Sequence, residues 1–269
     1  MSSIKHIIAI ASGKGGVGKS TTAVNLAVAL ASSEGARVGL LDADIYGPST
    51  AMMLGIADGT RPDTADGKSL LPIEAHGIVT MSMAYLTTAK TPVAWRGPMA
   101  GGALVQMLEQ TDWGALDYLL IDMPPGTGDI QLTLSQKAEL AGAVIVTTPQ
   151  DIALLDARKG IEMFRKVEVP VLGVVENMAM HTCSQCGHTE AIFGDEGGNR
   201  IAQEDGVELL ASLPLERGVR ENTDAGRPMV VADPDGAAAA AYRAAAAALT
   251  RAVVSNASAS FPNISISDD

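Results

Sequence analysis

Between Gly13 and Ser20 the chain reads Gly-Lys-Gly-Gly-Val-Gly-Lys-Ser, which satisfies G-x-x-x-x-G-K-[ST]. Glycines at 13, 15, 16 and 18 permit backbone conformations that a Cβ forbids, so successive N–H groups can turn inward on a polyphosphate. Lys19 then reaches the β- and γ-phosphates, and the Ser20 hydroxyl meets Mg²⁺. Acids stand where such a loop needs them. Asp42 and Asp44 lie two residues apart at the end of one apolar run, and Asp122 closes another. A carboxylate at the first place orders an attacking water or holds Mg²⁺ through water, with a turn cap as the plain alternative. Asp122, after Tyr118-Leu119-Leu120-Ile121, is the acid that anchors the Mg²⁺ shell. The loop from Met123 to Asp129 is stiff at Pro124 and Pro125 and loose at Gly126 and Gly128, which suits a switch that senses the γ-phosphate. A second chemistry is written in Cys183-Ser184-Gln185-Cys186. Two thiols at C-x-x-C spacing point to metal or redox chemistry, and His181 and His188 on either side leave a Cys₂His₂ zinc site open.

These groups need a frame, and the hydrophobic pattern supplies it. Ile7 to Ala11, Arg37 to Asp42, Ile78 to Ala84, Tyr118 to Asp122, Ala143 to Thr147 and Val171 to Asn177 read as short, mostly apolar strands. Helical patterns fill the intervals at Ser20 to Leu30, Met99 to Gln110 and Asp151 to Lys166. Apolar strands alternating with helices predict an α/β fold, a doubly wound and mainly parallel sheet with helices on both faces. Residues 55–77, rich in Gly, Asp, Thr and Pro, read as a surface excursion containing a hairpin. The stretch 178–198, with both cysteines, interrupts the rhythm as an insertion. Val207 to Leu213 is read as a last strand, Arg217 to Pro228 as a polar loop and Gly236 to Val254 as an alanine-rich helix. From Ser255 the composition predicts a disordered tail. The expectation is one domain over 1–254 and a tail over 255–269.

Composition narrows the function. The 269 residues carry a formal charge of −12, which offers no basic field for nucleic acid or anionic lipid. The apolar start is too short for a secretory segment and no run of about 18 apolar residues occurs, so no membrane partner and a cytoplasmic location are expected. Two cysteines are too few for a disulfide framework. The twelve methionines read as core filler in a chain with few aromatics.

Lys14, directly after the first glycine, makes the loop similar to the deviant Walker A loops of the MinD/ParA-like NTPases, a P-loop group of SIMIBI type. That resemblance implies nucleotide binding by Gly13, Lys14, Gly15, Gly16, Val17, Gly18, Lys19, Ser20 and Thr21. It also implies that Lys14 reaches across a homodimer interface to the partner's nucleotide, where a cation opposes charge developing on the phosphoryl group. Lys14, Lys19 and Asp44 become the catalytic residues, Asp44 being the position that matches. Asn177 would hydrogen-bond the adenine edge, although a structural cap fits it nearly as well, and the loop beginning Leu213-Pro214-Leu215 would cover the base.

Further motifs occur in order: Gly47-Pro48-Ser49, Pro124 to Asp129, Asn177-Met178 and Cys183-x-x-Cys186-Gly187. With them the chain resembles the Mrp/ApbC iron-sulfur cluster carrier ATPases from residue 4 to about 250. It departs from that pattern at Ala179 and Ser184. The resemblance implies an ATP-dependent carrier, with Mg²⁺ held by Ser20 and Asp122, that passes a 4Fe–4S cluster from an upstream scaffold to apoproteins. Four thiolates hold such a cluster and one chain has two, so a symmetric dimer would share it through Cys183 and Cys186 of each copy. A regulatory or positioning ATPase of the MinD/ParA kind, or an NTPase with a structural zinc, are the alternatives. Trp95-Arg96-Gly97-Pro98 is similar to a segment of the same family and is given no chemistry.

Overall fold

The structure, a computed structural model, describes residues 3–65, 67–86 and 97–259. Trp95 and Arg96 lie outside them. The apolar runs become strands β1 (Ile4–Ala11), β2 (Val38–Asp42), β3 (Ile73–Ala75), β4 (Ile78–Ser82), β5 (Leu116–Asp122), β6 (Gly142–Thr147) and β7 (Val171–Glu176). The last three strands are β8 (His181–Thr182), β9 (Thr189–Glu190) and β10 (Leu209–Ser212). One eight-stranded sheet has the order β10-β7-β6-β1-β5-β2-β4-β3 and is parallel except for β3, which pairs antiparallel with β4, so that only one arm of the hairpin lies within 55–77. Strands β8 and β9 form a separate antiparallel pair in the insertion.

The helices are α1 (Lys19–Ser33), α2 (Thr50–Met53), α3 (Gly97–Gln110), α4 (Asp129–Lys137), α5 (Asp151–Lys166), α6 (Gly197–Asp205), α7 (Arg217–Asp224), α8 (Met229–Ala232) and α9 (Ala237–Ala259). Side chains of a strand alternate between faces, so β1 sends Ile8 and Ile10 to one core and Ile7, Ala9 and Ala11 to the other. The first core contains α1 and α9, with Leu26, Leu30, Tyr242 and Leu249 buried. The second contains α3, α4 and α5, with Leu104, Leu134 and Phe164 buried. Covering both faces explains why the central strands read as near-continuous apolar runs.

Helices α4 and α6 occupy stretches for which the sequence reading names no helix, and two readings are overturned outright. Arg217–Asp224 is helix rather than polar loop, its surface laced by Arg217–Glu221 and Arg220–Asp224 pairs one turn apart. Helix α9 continues through Ser255 to Ala259, where disorder was expected; residues 260–269 lie outside the described residues. The cause is packing that composition does not display: Val253 is buried, and the Asn256 amide donates to the Ala141 carbonyl at 3.4 Å.

Candidate functional site

The glycine loop joins the carboxyl end of β1 to the amino end of α1, so its amides and the helix dipole face the same point. Gly16 and Gly18 take φ of 82° and 80°, a region that side chains disfavour. Gly13 answers a different need, since a Cβ there would lie 2.0 Å from the Asp156 carbonyl oxygen of α5. The loop cannot rise from α5 to make room without moving the amides.

Lys14, Gly15, Gly16, Gly18, Lys19, Ser20, Thr21 and Asp44 line one cleft of about 200 Å³, with Ser12, Ser49 and Pro125. Val17 is buried behind it. Inside, the Lys19 ammonium meets Asp122 Oδ1 at 2.5 Å and the Ser20 hydroxyl at 3.3 Å. Lys19 is 6% exposed and Asp122 fully buried, so this ion pair is shielded from solvent. Burial raises the Asp122 pKa, and the Lys19 charge opposes the rise. Asp122 Oδ2 is buried without a hydrogen-bond partner. An orphaned acceptor beside Ser20 fits a Mg²⁺ hydration shell, as the carboxylate and hydroxyl donor set does. With Lys19→Ala, the charge-assisted contact to phosphate disappears, and MgATP affinity is expected to fall about tenfold to a hundredfold. Titration with a fluorescent ATP analogue measures it, and unchanged affinity would remove Lys19 from the phosphate site.

The sequence pointed to Asp44; the structure adds what holds it. Asp42 Oδ1 accepts the Asp44 N–H at 3.1 Å, while Oδ2 accepts from the Ser49 N–H, the Thr50 N–H and the Thr50 hydroxyl at 3.0 Å each. Asp42 is therefore the fully buried post around which residues 43–50 wind. Burial and the neighbouring Asp122 charge push its pKa up to about 7, against the Thr50 and Asp44 hydrogen bonds. The signal was present, an acid ending an apolar strand, but its direction was not. On the other wall, Gly126 donates its N–H to the Ser12 carbonyl at 2.9 Å, tying the switch loop to the phosphate loop. Gln131 holds that loop from α4, donating to the Pro124 and Pro125 carbonyls at 3.1 and 2.9 Å. No motif announced Gln131.

Asn177 stands at the end of β7 with its side-chain amide donating to the Val17 carbonyl at 2.9 Å. It also sits against Gly18, where a Cβ would meet the amide nitrogen at 2.1 Å. The residue named for the adenine edge is thus placed as a brace of the phosphate loop. Pro214 lies beside it: Leu213 donates to the Glu176 carbonyl, and Ala179 donates to that of Leu213. These bonds seat the base of the cysteine hairpin, with Leu215 donating to Met180 O and His181 Nδ1 donating to Leu215 O at 3.0 Å.

The hairpin is closed by Cys183 N–H to the His188 carbonyl at 2.8 Å and by Gly187 N–H to Cys183 O at 2.9 Å. Gly187 turns at φ 71°. Cys183 is half-buried and Cys186 exposed, and both thiols are free. Backbone N–H groups of Gln185 and Cys186 are directed at the Cys183 sulfur and lower its pKa, favouring the thiolate that ligates metal. Among the described residues no three His, Cys, Asp or Glu side chains are grouped to hold a metal ion. His181 and His188 are not drawn into a Cys₂His₂ set; one chain brings two sulfurs.

A parallel sheet with a glycine-lysine loop between β1 and α1, and acids ending the next two strands on one side of β1, β5 and β2, defines a P-loop nucleotide-binding protein. Residues 3–250 match the family model described as ParA, the NUBPL iron-transfer P-loop NTPases, and the chain belongs to that family. It is 65% identical over 243 residues to the iron-sulfur cluster carrier protein of Pseudomonas fragi, covering 90% of this chain and 84% of that one. It is 59% identical to the Escherichia coli K12 protein of the same name over 89% of this chain, but spans only 64% of that relative. Among solved structures, an ADP-bound nucleotide-binding protein from Archaeoglobus fulgidus aligns with TM-score 0.75 at 38% identity, covering 87% of this chain and 90% of that one. The cell division ATPase MinD of Pyrococcus furiosus aligns with TM-score 0.69 at 25% identity, covering 91% and 98%. No helix among the described residues is long and apolar enough to cross a membrane.

Proposed function

We infer that this chain is an ATP-dependent iron-sulfur cluster carrier, in which two copies pool their Cys183 and Cys186 sulfurs around one 4Fe–4S cluster and deliver it to apoproteins. The observation that carries this reading is the hairpin at 181–190: two free, solvent-accessible thiols on a hydrogen-bonded turn, with no third donor grouped beside them among the described residues. A cluster bound by four thiolates then needs a second chain. A cargo held at a subunit junction can leave when that junction loosens.

In this reading Gly13 to Thr21 bind the phosphates of ATP, and Lys19 and Asp122 exchange their mutual ion pair for phosphate and for the magnesium shell. Ser20 and Asp122 would hold Mg²⁺, which would supply charge neutralisation at the phosphates. Asp44 orients the attacking water from its seat on Asp42. Lys14, half-exposed at the cleft rim, acts on the nucleotide of the partner subunit. Hydrolysis is slow and coupled to loading or release. Asn177 and Pro214 flank the base, and an upstream scaffold supplies the cluster. The protein works in the cytoplasm without nucleic-acid or membrane partners.

Anaerobic reconstitution of the purified chain with ferrous iron and sulfide tests the reading. The expected product is a dimer with broad visible absorbance and about four irons and four sulfides per two chains. Stoichiometric zinc on a monomer, unaffected by excess iron and sulfide, would replace the carrier with a zinc-stabilised NTPase. A chain that binds neither metal and only changes partners with nucleotide would be the positioning ATPase.

A further inference from the structure

Residues of α4 and α5 line a groove of about 670 Å³ that shares no lining residue with the nucleotide cleft or the cysteine hairpin. Its apolar lining is Leu132, Met163 and Val167, and Leu132 is 37% exposed. Arg158, Lys159 and Lys166 line it as well, in a protein whose overall charge is −12. Arg158 is held in place by Glu204 and Asp205 of α6, and Lys159 by Asp156 at 2.9 Å. Lys166 forms no ion pair among the described residues, and Glu162, the only acid of the lining, is turned to Arg165 at 2.8 Å. The groove thus joins an apolar strip to cations on an otherwise acidic molecule. The dipole at α5's carboxyl end accounts for Lys166 and the ion pairs for Arg158 and Lys159, but neither accounts for an exposed Leu132 set beside three cations.

We propose that the α4–α5 groove docks an acidic amphipathic segment of a partner protein, its apolar side on Leu132 and Met163 and its carboxylates on Lys159 and Lys166. Charge complementarity selects this occupant over a second copy docked by the same face, which would set cation against cation. Thr127 of the switch loop forms one end of the groove, and its neighbour Gly126 is bonded to Ser12 of the phosphate loop. A partner seated there touches the segment that reads the nucleotide. The proposal does not depend on the cluster reading, because no residue of the cysteine hairpin lines the groove.

The probe is a fluorescein-labelled helical peptide of Leu and Glu, titrated with the full chain by fluorescence anisotropy. Saturable binding that weakens as salt rises is expected, with a loss of about tenfold or more in the Lys159→Glu/Lys166→Glu variant. Leu132→Asp should weaken it comparably, with thermal melting checked for each variant. The Arg61→Glu/Arg251→Glu variant changes net charge equally at exposed sites elsewhere and should leave binding intact. The proposal fails if no saturable binding is found, if both double variants lose affinity alike, or if a peptide of Leu and Gln binds as tightly.

Discussion

Serine at both Cys183 and Cys186 is expected to abolish cluster assembly while leaving MgATP affinity within about twofold of the parent, since the two sites share no ligand. The serine hydroxyl does not ionise near neutral pH, so it cannot replace the thiolate. The hairpin itself should survive, because it is closed by backbone bonds from Cys183 to His188 and from Gly187 to Cys183 that do not involve sulfur. Iron and sulfide content after anaerobic reconstitution, read beside fluorescent-nucleotide titration, separates the two functions. Either single variant leaves each subunit one donor, and should yield a sub-stoichiometric, easily chelated cluster. Full iron content in the double variant would show that the cluster is held elsewhere.

Asp42→Ala should cost about 3 to 5 kcal/mol of folding stability, because it strands several donors in a buried place and unpins residues 43–50. Three donors converge on one oxygen at 3.0 Å, and Ser82 Oγ adds a fourth at 3.4 Å. Loss of ATPase activity is expected as well, through Asp44, whose N–H is fixed by the same carboxylate. The pH dependence runs opposite to that of a salt-bridged acid. With the folded pKa pushed up to about 7, Asp42 contributes stability that is present below the ordinary carboxylate pKa and is lost as pH rises toward 7. Denaturant unfolding without nucleotide or Mg²⁺, compared between parent and Asp42→Asn across about pH 4 to 7, isolates it. The stability difference, parent minus variant, should fall as pH rises; a difference that grows would mean that Asp42 is ionised in the fold.

Much of this protein is legible in its amino-acid sequence. The parallel sheet followed from apolar strands alternating with helices, because a strand covered on both faces has no room for polar residues. The phosphate loop was legible because its chemistry resides in consecutive residues, and Gly16, Gly18, Lys19 and Ser20 line or shape the cleft that their order implied. The cysteine pair was visible for the same reason. At the end of α9 the local composition is polar and the deciding contact comes from elsewhere, Ala141 for Asn256; in α7 the i,i+4 charge pairs are local, and a polar stretch hides them only because charge is read as loop.

Tertiary structure alone decided which of two neighbouring acids is buried and which faces the cleft. Asp42 and Asp44 are the same residue type two positions apart, and only the path of residues 43–50 makes one a post and the other a wall. It also decided that Asn177 braces Val17 across 160 residues of sequence, that Gln131 holds the switch loop, and that α4 and α5 enclose a basic groove. Chemistry held in consecutive residues is written in the chain, because covalent spacing alone brings those groups together. Contacts between distant segments depend on how sheet and helices pack, and packing is settled by the whole sequence at once.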